Sequence, residues 1–494
     1  GMYRVQMLGP RHMAMHWHMH HDGARHWRSW KKLGRPMPVA VVLGGESVLP
    51  YAATAPLPPG ISELLMAGFL NRGGIRMVRA KTVPLWVPAN AEIVIEGYVR
   101  HDAGFIGWDP RGVGRQSVPT SSDIGQDRVG TECRPTQEVG TEYRPTPGPG
   151  AVFEGPFGDH TGFYSMPDRY PIMDVTAITM RKDAIYPTTV VGLPPQEDYF
   201  LGKATERIFF PLLKTLIHDI EDYDLPLFGA FHNCAVMKIK KAYPLQGRRV
   251  MHSVWGAGQM AWTKTLFVVD DDVDVHDIRA VLRAAAANCH PRRDIETVNG
   301  PLDILDHAAP RLGAGMKIGF DCTRKIAGEE VGGIAVASGP GQQSEPARAH
   351  GCSPAILGDA RLAPQGLDAV DHEGWLFVKI DKQRAGDGLR AIMHLQGLAR
   401  KWDKDSPSFV VILAGEVDAK DLDSAFFHWC AHTDVSRDST GWITPSGRYV
   451  VAFDATPKLP GDERNGQPVR PWPPVLKTDP AVARRVQERW GELS

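Results

Sequence analysis

Two carboxylates stand five positions apart around a turn, in Glu154-Gly-Pro-Phe-Gly-Asp159. Acids held close together separate their pKa values, so one can keep a proton near neutral pH while the other stays ionised. A general acid needs that property. A guanidinium such as Arg4, folded alongside, would hold its partner carboxylate ionised. By spacing alone, the same pair reads equally as two solvated acids in a turn. A second group is His16, His18 and His20, alternating with Trp17 and Met19. On a strand the three imidazoles would share one face, either as metal ligands or as a polar strand surface. A third, Asp270-Asp-Asp-Val-Asp274, lacks the glycine and the closing glutamate of a calcium loop. It reads as a strand end feeding a helix whose first turn favours carboxylates.

The 494 residues are enough for two or three domains. Lysine plus arginine (56) nearly balances aspartate plus glutamate (57), so the net charge of -1 gives no reason to expect a nucleic-acid partner. The cysteines at 133, 234, 289, 322, 352 and 430 contain no CxxC pair, which suits reduced thiols in a cytoplasmic protein. No apolar run approaches the roughly 18 residues of a membrane span, and no signal peptide is visible. GxxxxGK[ST], HExxH, GxSxG and a strand-linked GxGxxG are all absent. From Tyr3 the opening residues alternate apolar and polar, as inside a strand, so further chain is expected upstream of Gly1.

Up to about residue 200 the pattern is mostly β. Strands are expected at Tyr3–Met7, Met13–His18, Val39–Leu43, Ile75–Val78, Glu92–Tyr98 and Asp174–Met180, with one helix near Ser62–Leu70 capped by Ser62. Many short strands with little helix predict a barrel or sandwich. Within this part, residues 110–150 form a loop insertion. It holds a ten-residue tandem repeat, Val129-Gly-Thr-Glu-Cys-Arg-Pro-Thr-Gln-Glu followed by Val139-Gly-Thr-Glu-Tyr-Arg-Pro-Thr-Pro-Gly. Beyond 200, helices over Phe200–Tyr223, Val250–Trp262 and Val275–Asn288 alternate with strands Ala235–Ile239 and Thr265–Val269, predicting an α/β domain.

Residues 331–368 read as a Gly-, Pro-, Ser- and Ala-rich linker. Past it the chain repeats itself in order. Met237-Lys-Ile-Lys-Lys241 recurs as Val378-Lys-Ile-Asp-Lys382, and Phe267-Val-Val as Phe409-Val-Val. Arg293-Asp294 recurs as Arg437-Asp438, and Phe320-Asp-Cys-Thr323 as Phe453-Asp-Ala-Thr456. Residues 369–458 are therefore expected to be a diverged second α/β unit, followed by an amphipathic helix over Asp479–Leu493.

These segments, taken as an ordered set, resemble the UbiD family of decarboxylases. Met2-Tyr3-Arg4 looks like the family's arginine-bearing flavin motif, and Met15-His16-Trp17 like its second cofactor and metal segment. Ile61-Ser62-Glu63 resembles the segment of its metal-binding glutamate, and Glu154 to Asp159, continuing through His160-Thr-Gly162, its carboxylate turn. Arg248 to Met251, Phe267 to Asp274 and the tail Arg470-Pro-Trp-Pro-Pro474 are similar to its later regions.

The resemblance implies a mixed α+β fold. It comprises a split β-barrel for prenylated FMN over 1–195, an α/β oligomerisation domain over 196–330, the linker at 331–368, and the diverged α/β repeat with its closing helix over 369–494. It implies that Arg4, Glu154 and Asp159 form an acid–base network, with Glu154 paired to Arg4 and Asp159 the proton donor. Met2, Tyr3, Arg4, His16, Trp17 and His18 would line the flavin. His16 and Glu63 would hold manganese, with potassium as a further ion. The activity implied is loss of CO2 from an aromatic or unsaturated acid, in a homo-oligomer supplied by a flavin prenyltransferase. Gly256-Ala-Gly-Gln-Met260 and the repeat look most like the long menaquinone-pathway members. They point to a prenylated dihydroxynaphthoate-type acid ahead of a hydroxybenzoate of ubiquinone biosynthesis, and a lipophilic acid of that kind implies peripheral membrane contact. An asparagine ligand and an N-terminal domain that the family places upstream of Gly1 lie outside this sequence. A non-catalytic scaffold or assembly subunit is the alternative from another class. A metal-dependent hydrolase using Glu154 and Asp159 ranks below it.

Overall fold

The computed structural model describes residues 1–18, 21–55, 57, 60–103, 150–329, 368–399, 402 and 406–493. His20, the tandem repeat at 129–148 and residues 331–367 of the expected linker lie outside them. Contacts divide the chain into two compact units, one of residues 1–201 with 473–494 and one of residues 202–472.

The first unit is built on strands β1 (Arg4–Gly9), β2 (His12–His16), β3 (Met37–Leu43), β4 (Met77–Arg79), β5 (Trp86–Pro88), β6 (Ile93–Val99), β7 (Ala151–Glu154) and β8 (Asp168–Met180). Helices α1 (Asp22–Lys32), α2 (Val48–Ala53) and α3 (Glu63–Leu70) connect them. The main sheet is antiparallel in the order β1-β2-β8-β6-β3, with β7 beside β8 and no β3–β1 pairing among the described residues. Strand β2 lies between β1 and β8, so Met13, Ala14, Met15 and His16 are all buried. Their core continues through Trp17, Ala24 and Trp27. Ser62 caps α3 as expected, its hydroxyl accepting from Leu64 N at 3.2 Å.

Some boundaries differ from the sequence reading. Strand β2 stops at His16, so His18 lies beyond the strand on which three histidines were to share a face. Helix α1 was not anticipated. Its apolar stripe is short, with Ala24 and Trp27 buried among charged neighbours.

Helix α4 (Glu197–Leu216) ends before the expected Tyr223. The remaining residues form β9 (Ile220–Asp224), which the antiparallel edge of β10 (Cys234–Ile239) recruits. Helix α5 (Gln246–Gly256) also stops early, because Gly258 turns with φ +51° into a 3-10 turn over Gly258–Trp262. Then come β11 (Thr265–Asp270), α6 (Ile278–Asn288), β12 (Ile295–Pro301) and β13 (Ala314–Asp321). Asp277 caps α6, accepting from Arg279 N at 3.0 Å.

The second α/β copy follows: β14 (Ala369–His372), β15 (Trp375–Ile380), α7 (Asp387–Leu398), β16 (Phe409–Ala414), α8 (Leu422–His432), α9 (Val435–Asp438), β17 (Ser439–Ile443) and β18 (Tyr449–Asp454). The two sheets have the same strand arrangement, β9-β10-β11-β13-β12 and β14-β15-β16-β18-β17, each with three parallel strands between antiparallel edges. Buried polar pairs recur as well. Lys241 meets Thr323 at 2.9 Å and Glu329 at 2.5 Å, while Lys382 meets Thr456 at 3.0 Å and Asp462 at 2.7 Å.

Strand register corrects one sequence match. Val236 pairs with Phe267 and Phe377 with Val411, so the counterpart of Phe267 is Val411 rather than Phe409. The repeated Phe-Val-Val string had drawn the alignment two residues out of step. The chain closes with α10 (Pro480–Leu493). No helix among the described residues is long and apolar enough to cross a membrane.

Aromatic rings join the two copies. Phe267 stacks on Phe320 with centroids 4.8 Å apart, and Trp375 on Phe409 at 4.3 Å. Trp375 also meets Phe320 at 5.7 Å and Trp429 at 5.2 Å. Trp375 is fully buried. Trp375→Ala is expected to cost about 3–5 kcal/mol, read as a fall in unfolding free energy in denaturant titration.

Candidate active site

Strands β1, β2 and β7 bring the candidate residues together. The β1–β2 register sets Arg4 opposite His16, and β7 ends on Glu154. His16, Glu154 and Asp159 are all but completely buried. Past Glu154 the chain runs on through Gly155, at φ +100°, and reverses only at the tip, where Gly162 N donates to Asp159 O. The two carboxylates therefore meet different partners.

Glu154 Oε2 lies 2.6 Å from His16 Nδ1. The other nitrogen of that ring, Nε2, lies 3.0 Å from His18 Nε2. The His16 ring stacks on Tyr170 at 4.3 Å and meets Phe157 edge-on at 5.3 Å. Asp159 is ion-paired to Arg4 and to His160, whose Nδ1 is 2.6 Å from Asp159 Oδ1. An ionised carboxylate only accepts, so Nδ1 of His160 carries the hydrogen.

The expected pairing is thus corrected. Arg4 holds Asp159, and Glu154 is held by His16. Burial alone would push the Asp159 carboxyl up. The cations of His160 and Arg4, with His18, outweigh it and hold the group well below the usual carboxylate range. Burial pushes the Tyr170 phenol well up, reinforced by Asp168 and Glu154.

The remaining predicted residues are placed as follows. Trp17 is buried edge-on to Tyr3 at 6.2 Å. The Tyr3 hydroxyl accepts from Gly23 N at 2.9 Å, and Met2 is exposed. Glu63 opens α3. Of the expected metal pair, His16 has both ring nitrogens engaged. Among the described residues, the cluster with metal-ligand geometry is Glu206, Asp224 and His276, in the second unit. There Lys203 is ion-paired to both Glu206 and Asp224, and Arg207 to Glu206.

Two residues of the site had been given no role from sequence. His160 follows Asp159 directly, and that adjacency was the available signal. Tyr170 reaches His16 from β8 and carries no local signal at all.

Comparison with known proteins identifies the family. Residues 1–106 and 146–194 match the 3-octaprenyl-4-hydroxybenzoate carboxy-lyase Rift-related domain, and residues 199–322 match the C-terminal domain of the same family. The chain belongs to the UbiD family. An uncharacterized protein of Archaeoglobus fulgidus is 42% identical over 66% of this chain and 58% of its own length. One of Aquifex aeolicus is 43% identical over 66% of this chain and 57% of its own. The chain thus spans less than two thirds of these UbiD relatives.

Among solved structures, the vanillic acid decarboxylase of Sedimentibacter hydroxybenzoicus in closed form superposes with TM-score 0.53 at 19% identity, covering 71% of this chain and 62% of that one. The UbiD-class enzyme HmfF of Pelotomaculum thermopropionicum, in complex with FMN, gives 0.50 at 23% identity, covering 68% and 64%. These likenesses speak for the mixed α+β fold of the UbiD family.

The Asp159 pairing has a measurable consequence. A carboxyl whose folded pKa is depressed stabilises the fold above its unfolded pKa of about 3.9. That contribution is lost as pH falls through the lower folded value. Arg4→Leu removes one of the cations. Carbon NMR should then show Asp159 titrating at higher pH than in the parent, and the acid-unfolding midpoint should move upward in pH.

Proposed function

We propose that the protein containing this chain removes CO2, without net oxidation, from an aromatic or α,β-unsaturated carboxylic acid, using prenylated FMN. The observation that carries this reading is the buried turn from Glu154 to Asp159, with one carboxylate on Arg4 and the other on His16.

A bound flavin suits the surroundings. Trp17 Nε1 and Glu154 Oε1 are buried polar atoms with no hydrogen-bond partner among the described residues. A polar ligand beside β2 and β7 would satisfy them. Met2, Tyr3, Arg4, His16, Trp17 and His18 would hold the flavin. When bound, prenylated FMN supplies an electron sink for the pair left behind as CO2 departs. Manganese on His16 and Glu63 does not fit the contacts as found, because both ring nitrogens of His16 are engaged, one by Glu154 and one by His18.

The chain's own residues then have separable tasks. Arg4, about one-third exposed, can bind the substrate carboxylate while it remains paired to Asp159. Glu154 fixes the His16 ring through Nδ1, as Tyr170 does by stacking. Replacing CO2 by hydrogen consumes one proton per turnover. Asp159 rests ionised and fully buried, so it must be recharged before it can donate. The Nδ1–H of His160, 2.6 Å away, is placed to do so.

The substrate proposed is a prenylated dihydroxynaphthoate- or hydroxybenzoate-type acid of quinone biosynthesis, handled by a cytoplasmic homo-oligomer. A flavin prenyltransferase would supply the cofactor, and peripheral membrane contact would come through the lipophilic acid. The residue resemblance and the octaprenyl-hydroxybenzoate family match support this choice.

The test is to express the chain with its upstream sequence together with a flavin prenyltransferase, then record absorbance and CO2 release. Bound flavin and release of CO2 from such acids are expected. Asp159→Asn and Glu154→Gln should each lower the rate about 100-fold or more. A flavin-free protein inactive on aromatic and acrylic acids would overturn the proposal and favour a scaffold role.

A further inference from the structure

The acid turn is more than a loop leaving β7. Residues 157–165 fold as a tight hairpin. Gly158 bridges Tyr164, Asp159 N donates to Phe163 O at 3.2 Å, and Ser165 N donates to Phe157 O at 2.6 Å. Asp159 and His160 sit at its tip, closed by Gly162 N donating to Asp159 O at 3.0 Å.

A segment from the far end of the chain lies along one side of this hairpin. Phe163 bridges Val475 in antiparallel sense. Tyr164 N donates to Pro474 O at 3.1 Å, and Leu476 N donates to Gly162 O at 2.8 Å. The Leu476 side chain comes close to Gly158. A Cβ on that glycine would sit 2.7 Å from Leu476 Cδ2. Hairpin and tail belong to the same compact unit, although more than 300 residues of sequence separate them.

We propose that residues 473–476 are the third strand of the acid turn, and that Leu476 is a positioning residue which fixes Asp159 between Arg4 and His160. An isolated two-stranded hairpin is marginal in water, and a third strand makes such a ribbon persistent. The strap acts on both sides of the tip. Its backbone holds Gly162 and Tyr164 after Asp159, and its leucine covers Gly158 before it. Glycine at 158 is what lets the strap approach so closely.

The role of Asp159 rests on the function proposed above, so the test reads the strap independently of catalysis. In the cofactor-free chain, amide hydrogen exchange over 157–165 and the carboxyl titration of Asp159 are followed in three variants. Leu476→Pro removes the donor to Gly162, Leu476→Ala removes only the side chain, and a truncation after Thr478 removes α10 but keeps the strap. Leu476→Pro should speed exchange roughly tenfold or more and bring the Asp159 titration back toward its ordinary range. Leu476→Ala should do the same to a smaller extent, and the truncation should match the parent.

In the loaded enzyme, the leucine variants should lower kcat with little change in KM. Unchanged exchange and titration in Leu476→Pro would overturn the proposal, as would loss of thermal stability with Asp159 titrating as in the parent. If Leu476→Pro does not fold, Leu476→Ala decides by the same two readouts. A parent that takes no flavin and releases no CO2 would overturn the function while leaving the strap to be judged by exchange and titration alone.

Discussion

A charge taken out of water must be paired, and the first unit is organised around that constraint at Asp159. Its carboxylate is fully buried, between a guanidinium and an imidazole. Burial disfavours the charge, and the two cations more than restore it. This arrangement needs Arg4 on an edge strand, His160 next in sequence, and a hairpin that carries Asp159 at its tip. Glu154 solves the same problem separately by taking His16. The two carboxylates thus avoid competing for one cation, and each keeps its own electrostatic identity.

The chemistry was legible in sequence as a set of residue types, less so as a set of pairs. Glu154, Asp159, Arg4 and His16 are recognisable because their segments fall together in a familiar order. Which acid meets which cation depends on strand register and on where the hairpin turns, and neither is written in residue type. His18 illustrates the limit. The alternation of histidines predicted a shared strand face, yet the strand ends at His16 and the rings still meet, through a turn. The contribution of Tyr170 comes from a distant strand and leaves no trace near His16 in the chain.

Fold-level features followed a similar division. The internal duplication was visible because buried lysines, aspartates and threonines recur in order, and their partners recur in the structure. The offset of the Phe-Val-Val match shows the weakness of short apolar strings, which fit a β-strand in more than one register. Helix ends were misjudged where tertiary pairing overrode local pattern. Residues after Leu216 had helical spacing, but the free edge of β10 offered them a full ladder of hydrogen bonds.

The aromatic core of the second unit has a consequence for how that unit behaves in solution. Phe267 and Phe320 come from one copy, and Trp375 and Phe409 from the other, yet all four lie on a single polypeptide. Two separate subunits meeting through such a face would part on dilution. Tethered halves see each other at a fixed effective molarity, whatever the amount of protein present. Packing between the copies is therefore a first-order property of the chain, held equally at the low abundance of a cell and the high concentration of a purified sample.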